Sequence, residues 1–319
     1  MNLPDMLLVL LALAFAWSMG AHYTGACMGM PYASGSIGAR AALWTTMAPL
    51  SLLGATLLSH GVLRTVGHGI VAGGSLDTPA AIAVIGSAFV LTTLFTQRRL
   101  PTSTIQILVF CVVGAGAALG LRIRWDTVAR LALLWVLAPG VAFVLGYGFT
   151  RLFDALPGLA PAHGAALHVG RALVLVGGVA SLAMGANDVS HATGVFLSTG
   201  LCGPLAAGLI GGAGLALGVL TWGRPLLERV AFDMVRMDLP MATAAQLVQA
   251  LVVLTAVAFG LFTSMNQALI GAMAGAGLAR SRHTIDARMM LGVVRGWFIG
   301  PAAGMALGFA FARLVNLNW

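Results

Sequence analysis

Apolar runs of bilayer length recur along this chain, at roughly 3–20, 41–60, 80–96, 127–150, 166–184, 204–222, 242–262 and 288–313. Each approaches the ~20 residues that a helix needs to cross a hydrocarbon core. In lipid a helix satisfies its own backbone polar groups, so these runs are expected to be helical. Shorter apolar pieces at roughly 103–121 and 266–280 bring the expectation to about ten full spans. Two glycine-rich pieces, 21–38 and 186–200, are expected to be broken or re-entrant. The fold class that follows is an all-α polytopic membrane protein.

Only 8% of the 319 residues are charged, against about 25% in a soluble domain. The net charge of +8 rests on arginines scattered at helix ends, such as Arg40, Arg64, Arg98 and Arg122. Such scatter fits snorkelling, topology-setting arginines rather than a nucleic-acid face. Cys27, Cys111 and Cys202 lie in apolar stretches with no metal-ligand spacing, and read as small core residues. Asp5 and the lack of an early basic residue argue against a cleaved signal peptide and for a first membrane helix. Polar loops are expected at Arg64–Pro79, Arg151–Arg171, Arg224–Pro240 and Arg280–Arg288, the third amphipathic and on the cytoplasmic side.

The chain also repeats itself. Met19-Gly20-Ala21 recurs as Met184-Gly185-Ala186, Thr102-Ser103 as Thr263-Ser264, and Gln106 as Gln267. Gly114-Ala115-Gly116 recurs as Gly275-Ala276-Gly277, and Trp135 with Pro139 as Trp297 with Pro301. The matches keep their order at a nearly constant offset. They divide the chain into a first membrane repeat at 1–155, a loop at 156–164 and a second repeat at 165–319. About five spans per half, an odd number, would insert the halves in opposite orientations. Inverted repeats of broken helices are the plan of secondary transporters, with the substrate near the midplane. An old duplication kept for packing is the alternative.

Within this greasy background, Leu182–Gly200 places Asn187, Asp188 and His191 close together, with Gly185 and Gly194 as points where a helix could unwind. An ionisable side chain at membrane depth is costly enough to mark a functional site by default; a plain helix cap is the alternative for Asp188. Aligning the repeats sets His22 opposite Asn187 and Tyr23 opposite Asp188, so Asp188 has no acidic mate. One carboxylate with His22, Tyr23 and His191 suits a proton better than several sodium ions, since a hard cation wants many oxygens. The segments Leu100–Gln106 and Phe262–Gln267 each precede a glycine-rich apolar run, with Pro101 suited to a first helical turn. Helix starts capped by Ser or Thr offer free N–H groups to an anion. No G-x-S-x-G, H-E-x-x-H or Walker lysine occurs, and an enzyme is not expected.

Gly185–Gly194, GANDVSHATG, resembles the GANDxANAxG signature of the inorganic phosphate transporter family, and the two Thr-Ser segments stand where that family repeats P-x-S-T-x-H. His191 replaces the second signature asparagine, and Gln106 and Gln267 replace the histidines. In the first half Gly20–Ile37 is instead similar to the bacterial sulfate-permease branch of that family. The resemblance implies uptake of a tetrahedral oxyanion driven by Na+ or H+, without an organic cofactor. Sulfate is slightly favoured and inorganic phosphate is the alternative; a passive anion channel or facilitator is the alternative class. Thr102, Ser103, Thr104, Thr263, Ser264, Asn187, Asn266, Gln106 and Gln267 would bind the anion. Asp188, His22, Tyr23 and His191 would couple the ion or proton, with Asp188 and Asn187 as the place for a sodium ion. The expected setting is a bacterial inner membrane, with no nucleic-acid partner and a homodimer left open.

Overall fold

The computed structural model describes residues 2–73, 76–98, 102–156, 165–233, 237–280 and 287–316. In chain order the helices are α1 Leu3–His22, α2 Thr24–Ala33, a π-helical turn Ala41–Met47 running into α3 Ala48–Leu57, and α4 His60–His68. Then come α5 Thr78–Gln97, α6 Thr104–Leu119, α7 Trp125–Ala155 and α8 Ala165–Thr193. The last five are α9 Val195–Ser198, α10 Pro204–Asp233, α11 Leu239–Ala258, α12 Met265–Arg280 and α13 Ala287–Asn316. Among the described residues the β structure is one antiparallel bridge, Val71 to Ile123.

Among the described residues seven helical stretches are long and apolar enough to cross a bilayer, or eight if the pair bent by 64° at α3 and α4 counts as one. That is fewer than the ten expected from sequence. The shortfall sits in α6 and α12, each 16 residues long among the described residues, or about 24 Å at 1.5 Å per residue, against the ~30 Å of a hydrocarbon core. Both start inside the protein: Thr102, Ser103, Thr104, Thr263 and Ser264 are all buried. Pro101 lies outside the described residues, and Ser103 caps α6. Several expected loops are also helical: Arg64 lies in α4, Arg151 in α7, Arg171 in α8 and Arg224 in α10. The loop at 157–164 falls outside the described residues.

The helices pair in matched sets. α6 packs on α13 and α12 on α7; α1 packs on α10 and α8 on α3; α5 touches α1 and α13 while α11 touches α8 and α7. α5 and α11 begin alike, with Asp77 and Asp238 accepting hydrogen bonds of 2.9 Å from the amides of Ala80 and Met241. Proline follows within two residues at both starts, where its missing N–H costs nothing. α7 and α13 turn large apolar side chains outward, among them Val136, Val144 and Phe298, as lipid-facing surfaces do.

Both glycine-rich pieces are interrupted, the second at Gly194 and not at Gly185. α1 gives way to α2 at Tyr23, while α8 continues unbroken through Gly185, Asn187, Asp188 and His191 to Thr193, and Gly194 separates it from α9. The glycine at 185 serves contact rather than unwinding. A Cβ there would stand 1.9 Å from the Ser51 carbonyl oxygen, and one on Gly54 would stand 2.0 Å from that of Leu182. Backbone touches backbone at this crossing of α8 and α3, the close approach small residues permit between membrane helices. Gly185→Ala is therefore expected to lower the thermal unfolding midpoint in detergent by several degrees, overpacking costing about 1–3 kcal/mol. Gly140→Ala, where no atom lies within 4 Å, should leave it unchanged or raise it.

Candidate functional site

The two interior helix starts converge on one turn of α8. Asn187 and His191 are four residues apart and so share a helix face, with Asp188 beside them. Asn187 pairs with the backbone at the start of α12 in both directions. Its Nδ2 donates to the Thr263 carbonyl at 2.9 Å, and its Oδ1 accepts from the Thr263 amide at 3.1 Å. Nδ2 also donates to Asp188 Oδ1 at 3.0 Å. One turn on, His191 Nδ1 lies 3.5 Å from the Thr104 hydroxyl at the start of α6, and 3.5 Å from Asp188 Oδ1. Thr104 in turn shares a 2.6 Å hydrogen bond with the Tyr23 hydroxyl, at the break between α1 and α2.

Each start carries a serine cap. Ser103 Oγ accepts from the Gln106 amide at 3.5 Å and Ser264 Oγ from the Gln267 amide at 3.3 Å. The cap satisfies one of the four amides that a helix start leaves without an intrahelical partner, and such a start favours an anion. Asn187, Asp188, Tyr23, Thr104 and His191 are all fully buried. Among the described residues no arginine is buried, and the chain contains no lysine. An anion here would meet helix dipoles and hydrogen-bond donors rather than a basic side chain.

Several buried polar atoms in these segments have no hydrogen-bond partner: Asp188 Oδ2, His191 Nε2, Thr263 Oγ1, Gln106 Oε1 and both side-chain polar atoms of Gln267. Buried polar groups are otherwise paired almost without exception, so a cluster of orphans at two helix starts marks a place shaped for something else.

The sequence-derived residues do not all gather in one way. Asn187 spends its amide on Thr263 and Asp188, as a clamp. Asn266 Nδ2 donates to His22 Nε2 at 3.2 Å, and His22 Nδ1 pairs with the Thr96 hydroxyl at 2.8 Å. His22 thus joins α1 to α5 and α12, not to the carboxylate. Thr102 is buried near the helix start with no hydrogen bond assigned to its side chain among those described. The sequence reading passed over Gln246 and Gln249 of α11. Gln246 Nε2 donates to the Ala26 carbonyl at 3.0 Å and to Gln249 Oε1, and Gln249 Nε2 donates to the Met265 carbonyl at 3.3 Å. Two glutamines three apart in an apolar helix were the available signal. Replacing Asn187 by Leu strips both bonds from Thr263, each buried orphan costing about 1–3 kcal/mol. The unfolding midpoint of Asn187→Leu in detergent should therefore fall by several degrees.

A model of the Phosphate transporter family matches the chain twice, over residues 19–169 and 160–308. The Bacillus subtilis protein named "Sulfate permease CysP" is 25% identical, the match covering 96% of this chain and 86% of that one. A Mycobacterium leprae protein named "Probable low-affinity inorganic phosphate transporter" is 26% identical over 95% of this chain and 81% of its own. A solved structure titled "The sodium-dependent phosphate transporter" superposes with a TM-score of 0.91 at 20% identity, covering 100% of both chains. That likeness is one of fold. The two-fold family match spans nearly the whole chain and encloses both helix starts and the α8 turn: this multi-pass membrane protein belongs to the phosphate transporter family and is a transporter, not an enzyme.

Proposed function

We propose that the chain is a secondary transporter of inorganic phosphate, coupled to a cation, Na+ or H+, held at Asp188. The observation that carries this is the meeting of two serine-capped interior helix starts on one turn of α8, next to a buried carboxylate with an unpartnered oxygen. The helix starts would hold the anion through their amides, Ser103, Thr104, Thr263 and Ser264, with Thr102, Asn266, Gln106 and Gln267 around it. Asn187 would set the position of Thr263 rather than touch the guest. A buried carboxylate is stable only when neutralised by a proton or a cation, which gives Asp188 its coupling role. His191 would bridge that carboxylate and Thr104, and Tyr23 would fix Thr104 from the other side.

The matched helix pairings and the double family match support two repeats of opposite orientation, 1–155 and 165–319, rocking around this site. Phosphate is preferred over the sulfate that the first-half sequence suggested, because the family description and the phosphate-named relatives and structure outweigh one sulfate-named relative. Sulfate remains the second substrate on the strength of that relative and of Gly20–Ile37. The sodium dependence named for the solved structure supports Na+ as the driving ion. His22 and Tyr23, in place of an Asn-Asp pair in the first half, support one coupling site rather than two.

Uptake of labelled phosphate into proteoliposomes, with imposed sodium or proton gradients, tests this. The wild type should accumulate phosphate above equilibrium. Asp188→Asn should remain monodisperse and lose accumulation by at least about tenfold, the loss of a site's charge partner being worth more than about 1.4 kcal/mol. Normal accumulation by Asp188→Asn would remove the coupling role. Counterflow without accumulation in the wild type would point to a passive facilitator.

A further inference from the structure

The orphaned atoms around the two helix starts have a chemical bias. Asp188 Oδ2, Gln106 Oε1 and Gln267 Oε1 are acceptors. Gln267 Nε2 is a donor, and Thr263 Oγ1 and His191 Nε2 can each be either. A site for a fully deprotonated oxyanion needs donors alone, because every oxygen of such a guest only accepts. Facing it with the side-chain carbonyl oxygens of Gln106 and Gln267 sets acceptor against acceptor. A guest with a hydroxyl group resolves the conflict by donating to one of these oxygens.

Gln267 is the residue best placed to make this distinction. It is 1% exposed, lies in the first turn of α12, and has neither end of its side chain engaged, while its own amide is held by Ser264. Its repeat mate Gln106 is 6% exposed, stands in the same place on α6, and leaves its carbonyl oxygen unpartnered. A primary amide offers a donor and an acceptor on one rigid plane. It can give a hydrogen bond to a bare oxygen of a tetrahedral anion and accept one from the neighbouring hydroxyl. With no buried arginine among the described residues and no lysine in the chain, charge alone does not choose among tetrahedral anions here, and the choice falls to the hydrogen-bond inventory.

From this geometry we infer that Gln267 is the specificity-determining residue of the site, reading a hydroxyl-bearing tetrahedral oxyanion and rejecting one that carries no proton, with Gln106 as its weaker counterpart. The inference rests on the transport reading above and adds which residue tells phosphate from sulfate. Sites built to bond a substrate hydroxyl discriminate strongly against analogues lacking it, because a buried polar group is then left unpaired.

The test is labelled phosphate uptake by the full chain in proteoliposomes, with arsenate (hydroxyl-bearing) and sulfate (none) as competitors near neutral pH. In the wild type arsenate should compete at concentrations similar to phosphate, and sulfate should compete weakly even in about hundredfold excess. Gln267→Leu should lower the preference for phosphate over sulfate by about tenfold or more. Gln267→His, which keeps one donor and one acceptor, should retain most of it. Should Gln267→Leu transport nothing, binding of phosphate and of sulfate to the detergent-purified, monodisperse variant replaces uptake. Equal affinity for the two anions then supports the assignment, and an intact preference overturns it. Equal competition by sulfate in the wild type, or an unchanged preference in a transporting Gln267→Leu, also overturns it while leaving phosphate transport standing. Failure of the wild type to take up phosphate at all would remove the transport reading itself.

Discussion

A helix that begins inside a membrane protein leaves backbone N–H groups where no water reaches them, and everything at the centre of this molecule answers that constraint. α6 and α12 both begin this way. Ser103 and Ser264 take one amide each, and Asn187 reaches from α8 to pair with both backbone groups of Thr263. What the protein leaves unsatisfied is a set of donors and acceptors around the two starts, available to a small polar guest. The shortness of the two helices, the burial of their caps and the placing of Asn187 on α8 are thus parts of one solution.

The two halves solve the problem differently. In the second half Asn187 clamps the backbone of Thr263 and carries Asp188 next to it. In the first half the equivalent positions are His22 and Tyr23, and only Tyr23 turns to its own half's helix start, through the Thr104 hydroxyl. His22 crosses to Asn266 at the start of α12. The pair of glutamines on α11 adds a further buried link, from the Ala26 carbonyl through Gln246 and Gln249 to Met265. α12 is consequently tied to α1, α8 and α11, and α6 by fewer bonds. Any motion of one half against the other must break the His22–Asn266 contact or carry it along.

Much of this was legible in the chain itself, because the signals were local. Runs of apolar residues prescribe membrane helices, and the ordered matches from Met19 to Trp135 and from Met184 to Trp297 are the sequence basis for expecting two repeats. Paired Thr-Ser segments before glycine-rich runs marked the helix starts. The span count exceeds what the structure shows because an apolar run does not say where its helix begins: α6 and α12 start at buried caps inside the protein. A glycine such as Gly185 suits both breaks and contacts in sequence, and only the approach of Ser51 tells which it serves. Side-chain pairings such as His22 with Thr96 and Asn266 depend on elements 74 and 244 residues apart, beyond any local pattern. Gln246 and Gln249 lay in a helix that looked like packing, with no motif to draw notice.

The central claim is that a tetrahedral oxyanion sits between the starts of α6 and α12, against the turn of α8 that carries Asn187, Asp188 and His191. Arsenate is a phosphate-shaped guest with an anomalous X-ray signal. Diffraction from crystals grown with arsenate, at the arsenic absorption edge, locates it directly. One peak within hydrogen-bonding reach of the Ser103–Thr104 and Thr263–Ser264 segments, and of the Gln267 side chain, is the result the account requires. A reproducible peak elsewhere in the molecule, with the space between the two helix starts holding only water at arsenate concentrations that saturate transport, would contradict it.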